Sequence, residues 1–90
     1  MSRAVRVVIS GRVQRVGFRY WTEGEANKLG LDGWGRNMPD GTVETVFSGA
    51  DDAVSLMLER CHTGPRLAAV RDVQMFDAEA PEKSGFAHYR

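Results

Sequence analysis

A single cysteine, Cys61, in 90 residues leaves this chain unable to form an intrachain disulfide or a paired-cysteine metal or redox site. Its place in an apolar helical stripe makes it a small buried hydrophobe. Charge of one sign is also missing, since Lys and Arg number 12 and so do Asp and Glu. That balance carries no electrostatic footprint of a nucleic-acid or membrane-surface partner. Long apolar runs are absent too. The opening Met1-Ser2-Arg3-Ala4-Val5 meets charge again at Arg6, before a signal-peptide core forms, and no stretch approaches a membrane span. His62 suits the end of a helix, where it complements the dipole, and His88 has no partner motif, so nothing points to a metal. The expectation is a cytoplasmic monomer with no cofactor, no nucleic-acid partner and no membrane contact.

What remains is an ordinary soluble composition, 42% apolar and 27% charged, and a length that suits one domain over residues 1–90. Residues 3–10 alternate as a strand, with Val5, Val7 and Ile9 on one face. A loop from Gly11 to Gly17 leads into a helix whose Phe18, Thr22, Ala26 and Leu29 share a face, ended by Gly30. Strands over 31–37 and 42–48 flank the turn signal Pro39-Asp40-Gly41 and make a hairpin. Gly49 is expected to open a second helix, striped by Val54, Met57, Leu58 and Cys61 and stopped at Gly64-Pro65. A fourth strand follows over 68–76, where Val70 and Val73 fall out of phase and suggest a bulge. Phe86 to Tyr89 offers a short fifth edge strand.

The order β-α-β-β-α-β, with one apolar stripe per helix, predicts an α+β ferredoxin-like sandwich. Its four-stranded antiparallel sheet carries both helices on one face. In that topology the first two strands run the same way, so residues 11–19 come near residue 37.

The loop Gly11-Arg12-Val13-Gln14-Arg15-Val16-Gly17-Phe18-Arg19 joins a strand to a helix N-terminus, where open amides and the helix dipole favour an anion. Arg12, Arg15 and Arg19 cluster there in an otherwise neutral chain. Arg19 stands in the first helical turn, where a cation is misplaced by about 0.3–1 kcal/mol unless a bound anion offsets it. An arginine that merely tolerates this cost at the surface is the plainer alternative. The loop lacks the GxxxxGK[ST] pattern of a P-loop. The third strand carries one aromatic, Phe47, too few for an RNA-recognition face.

Two stretches together resemble the acylphosphatase family. Residues Gly11 to Arg19 are similar to its first signature, G-x-V-Q-G-V-x-F-R. Gly33-Trp34-Gly35-Arg36-Asn37, followed by Gly41-Thr42-Val43-Glu44 and Gly49, is similar to its second. Thr22, Ala26, Leu29-Gly30-Leu31, Gly64-Pro65, Ala68 and Val70 fit as well, so the likeness spans residues 5–76. The resemblance implies metal-independent hydrolysis of the carboxyl–phosphate bond of acyl phosphates. By the same resemblance Arg19 binds the phosphoryl oxygens and Asn37 orients the attacking water. The backbone amides of Gln14, Arg15, Val16, Gly17 and Phe18 complete a phosphate cradle.

Two residues depart from the family pattern. Arg15 stands where the family usually has glycine, so it is either strained at a positive φ or unstrained and recruiting the anionic substrate. Gly35 stands where a larger residue is usual, which loosens the strand that carries Asn37. Trp34 is expected to pack rather than stack on substrate, Trp21 to line the pocket or pack, and Arg36 to be solvated on the opposite face. The alternative function is a non-catalytic ferredoxin-like module that binds a small anion or serves regulation. An RNA-binding domain is a remote third, disfavoured by the neutral charge.

Overall fold

A computed structural model of the chain describes residues 1–89; the side chains of His88 and Tyr89, and with them the expectation for His88, lie outside the description. Seven elements follow in order: β1 (Ser2–Arg12), α1 (Phe18–Lys28), β2 (Asp32–Asn37), β3 (Val43–Ala50), α2 (Asp51–Cys61), β4 (Ala69–Asp77) and β5 (Phe86–Tyr89). The strands form one sheet in the order β4-β1-β3-β2-β5. The first four pair antiparallel, but β5 lies parallel to β2, so the sheet is five-stranded and mixed. The fifth strand docks because Asp32 Oδ1 accepts the Gly85 N–H at 2.7 Å and Asn27 Oδ1 accepts the Phe86 N–H at 3.3 Å. Phe86 then stacks on Phe47 with ring centroids 5.5 Å apart. This is the ferredoxin-like α+β fold with one added edge.

Alternation in β1 builds the core. Val5, Val7 and Ile9 are fully buried, opposite Phe47, Thr45 and Val43 of β3. Both helices cover this face, α1 over β2 and β5, α2 over β1 and β3. They contribute Phe18, Thr22 and Ala26, and Val54, Met57 and Cys61. Burying each large side chain of this set stabilises the fold by about 1.5–3 kcal/mol. Gly30, at φ 70, ends α1 in a Schellman turn: Leu31 N–H bonds Ala26 O at 2.9 Å and Gly30 N–H bonds Asn27 O at 3.1 Å.

Two expectations are revised. Gly49 does not open α2; it stays in β3, paired with Arg3, and the helix begins at Asp51. Asp51 and Asp52 occupy that first turn, where carboxylates suit the dipole. Strand β3 is buried on both faces, since Glu44, Val46 and Ser48 are covered as well as Val43, Thr45 and Phe47. Arg36 helps to cover them and is not simply solvated. It pairs with Glu44 at 2.7 Å and lies 5.4 Å over the Trp34 ring, while Arg6 reaches the other Glu44 oxygen at 3.0 Å. The bulge is real. Ser10 pairs with Asp72 but Gly11 with Val70, so Arg71 is the extra residue, and Val70 and Val73 both pack on the core.

Among the described residues no helix is long and apolar enough to cross a membrane. Because β1 and β2 both run antiparallel to β3, they point the same way. Val43 pairs with Ile9 on one side and with Asn37 on the other. Three neighbouring strands therefore bring the end of β2 beside the loop that leaves β1.

Candidate functional site

That loop and strand end enclose a cavity of about 120 Å³, lined by Val13, Arg15, Gly17, Phe18, Arg19, Tyr20 and Asn37. Val13 and Phe18 are core residues, each 1% exposed, and they anchor the loop at both ends. Between them the backbone turns left-handed twice, at Arg15 (φ 62) and at Gly17 (φ 77), the N-cap of α1. A non-glycine residue at such a φ costs about 1–2 kcal/mol, and Arg15 is the one described non-glycine residue that does so. Left-handed residues in series turn successive N–H groups inward, a backbone arrangement that favours anions.

The helix end is open. No side chain caps α1 and no acidic residue stands in its first turn, whereas α2 carries two. The first helical bond runs from Trp21 N–H to Gly17 O at 2.9 Å, so the preceding turn faces the cavity with amide donors and partial positive charge. Among the described residues, two arginines and no carboxylate line the cavity.

Asn37 ends β2 on the face shared by Gly33 and Gly35. Its Oδ1 is buried and accepts no hydrogen bond among the described residues. A buried acceptor left unpaired costs about 1–3 kcal/mol, which a bound donor such as water repays. The turn behind it is firm: Met38 N–H bonds Thr42 O at 2.8 Å, and Asp40 Oδ1 accepts both the N–H and the hydroxyl of Thr42. Those two bonds hold the Asp40 carboxyl below its usual range. Gln14 Nε2 reaches across from the loop to Met38 O at 2.8 Å and Thr42 O at 2.9 Å.

Arg15, Gly17, Phe18, Arg19 and Asn37 thus meet in one cavity, while the side chains of Gln14 and Val16, in the same loop, are not among its lining. Trp21 does not line it either; it turns onto Phe18, edge to face at 5.4 Å. Tyr20, 76% exposed, is the lining aromatic that sequence reasoning missed. Helical geometry held the signal, since position 20 lies about 200° around the helix from buried Phe18 and position 21 lies nearer its face. Cys61 lies in the core away from the cavity, where burial pushes its thiol up to about 12. Among the described residues no three His, Cys, Asp or Glu side chains gather as a metal site.

The family model for acylphosphatase matches residues 5–88. This chain belongs to the acylphosphatase family. It is 55% identical over 78 residues to the acylphosphatase of Trichormus variabilis, covering 87% of this chain and 76% of that one. Its structure is similar to that of an acylphosphatase from Coxiella burnetii, with a TM-score of 0.93 at 33% identity over 98% of this chain and 93% of the other. The acylphosphatase from Bacillus subtilis superposes over the whole of both chains with a TM-score of 0.91, also at 33% identity. The chain is accordingly an enzyme, a hydrolase of the acylphosphatase family.

Proposed function

We propose that this enzyme hydrolyses the carboxyl–phosphate bond of small acyl phosphates without a metal ion, with Arg19 and loop amides holding the phosphoryl group and Asn37 orienting water. One observation carries the reading: Arg19 and Asn37 line the same cavity, and Asn37 Oδ1 is buried with no hydrogen-bond partner among the described residues. The guanidinium and the amides from Gln14 to Phe18, at the open end of α1, neutralise charge on the equatorial phosphoryl oxygens. Asn37 Oδ1 accepts a hydrogen bond from the attacking water and sets its line of approach.

The leaving group is a carboxylate whose conjugate acid has a pKa near that of Glu, about 4.3, so it departs without a general acid. The water's proton passes to a phosphoryl oxygen. That route suits a cavity whose lining, among the described residues, holds no Asp, Glu or His. Positioning and preorganised charge then do most of the catalysis. A buried lone thiol at Cys61 suits the cytoplasm.

Benzoyl phosphate turnover, measured with and without EDTA, tests the reading. Equal turnover in both conditions is expected. Binding of inorganic phosphate with no turnover overturns it in favour of a non-catalytic anion-binding module, and loss of turnover with EDTA overturns the metal-free route.

A further inference from the structure

We infer that Gln14 is a positioning residue for hydrolysis: its side-chain amide fixes Asn37 relative to the phosphate-binding loop. The inference rests on the proposed function. It gives the Gln14 side chain a task distinct from that of the loop amides. The Gln14 amide group spends its two hydrogens on two carbonyls, Met38 O at 2.8 Å and Thr42 O at 2.9 Å. Both carbonyls lie at the base of the β2–β3 turn, and Met38 directly follows Asn37.

The turn does not need Gln14 to close. Met38 N–H to Thr42 O, Gly41 N–H to Met38 O, and the two Asp40–Thr42 bonds already close it. What Gln14 adds is a link. Among the described residues no other hydrogen bond joins residues 13–17 to residues 37–42. The phosphoryl group is held by one of these segments and the water by the other. Their separation sets the attack distance, and Gln14 ties them together at partly buried positions. A planar –NH2 donating to both carbonyls is a geometry that glutamate, an acceptor when ionised, cannot copy.

Gln14→Glu and Gln14→Met, each alone and combined with Asn37→Ala, test this with benzoyl phosphate as substrate and inorganic phosphate as inhibitor. Each single variant should lower kcat by on the order of 10²-fold, the scale of a misplaced reactant, while phosphate inhibition shifts less than about twofold. In the Asn37→Ala background the same substitutions should lower kcat by less than about threefold further, because the residue they position is gone. Relative to wild type, Gln14→Glu should recover as pH falls and its carboxyl regains one donor, and Gln14→Met should not. Thermal unfolding followed by circular dichroism keeps the assays below each midpoint, and either variant alone suffices if the other fails to fold. Phosphate affinity falling as steeply as kcat would place the Gln14 side chain in the cradle and overturn the inference. So would an undiminished kcat loss in the Asn37→Ala background. A wild-type enzyme without turnover instead refutes the proposed function, and this inference falls with it.

Discussion

Arg15→Gly perturbs the loop where its backbone is most constrained and its charge most exposed. At φ 62 an arginine gives up about 1–2 kcal/mol relative to glycine. Glycine in turn loosens the unfolded chain by about 0.5–1 kcal/mol. The difference centres near 0.7 kcal/mol in favour of the variant, about 3–6 °C in Tm for a domain of this size. A second effect works through charge. The Arg15 side chain is exposed, and one unit charge 4 Å from another in water contributes at most about 1 kcal/mol, roughly fivefold in KM.

Backbone and charge effects separate by salt. The backbone gain is independent of ionic strength, whereas an exposed charge acts over about 30 Å at 0.01 M salt and about 8 Å at 0.15 M. Thermal unfolding and benzoyl phosphate kinetics at these two salt concentrations therefore measure both. The expected result is a higher Tm at both salts, with kcat/KM at 0.15 M kept or increased. A lower Tm joined to a KM that rises steeply at 0.01 M refutes this reasoning. Arg15 would then be unstrained and its side chain a recruiter of substrate.

Arg19→Ala should lose turnover and phosphate affinity together, because its charge serves ground and transition states alike; retention of more than about a tenth of kcat/KM, a loss below roughly 1.4 kcal/mol, sinks its assignment. Asn37→Ala should lower kcat by on the order of 10²-fold with phosphate inhibition nearly intact, and a phosphate affinity that falls as in Arg19→Ala is the contrary result. The same variant removes a buried unpaired acceptor, so calorimetry should find stability unchanged or higher. Gly35→Ala should stabilise by about 0.5–1 kcal/mol, since its added Cβ meets nothing nearer than Thr45 Oγ1 at 3.7 Å; denaturant unfolding that shows a loss contradicts this.

The helices and central strands were legible because their signals are local. Phe18, Thr22 and Ala26 repeat at helical spacing, and Val5, Val7 and Ile9 alternate, whatever lies elsewhere in the chain. The start of α2 was misread at Gly49 because a glycine weakens either element, whereas Asp51-Asp52 marks a helix N-terminus by its charge. The parallel pairing of β5 was not legible at all. It depends on Asp32 and Asn27 capturing backbone amides more than fifty residues away. Arg36 looked solvated for a similar reason, since its partner Glu44 becomes its neighbour only once the hairpin register is known. At the site, the arginine in the first turn of α1 pointed to Arg19, and the family resemblance implied Asn37. The Gln14 bridge and the place of Tyr20 needed three-dimensional geometry.

Register is what turns these scattered residues into a site. Asn37 shares a face with Gly33 and Gly35, the side of β2 that α1 covers, because it pairs with Val43. A slip of one residue between β2 and β3 would send Asn37 to the open face beside Trp34 and bring Arg36 or Met38 to the cavity. The same Val43 pairs with Ile9, so β1 and β2 stand one strand apart on either side of it, about 10 Å from each other. The turn bonds of Met38, Asp40 and Thr42 lock this register at the strand end. The residues behind Asn37 therefore determine where its oxygen stands, and under the proposed mechanism the water's line of approach inherits the accuracy of a β-hairpin.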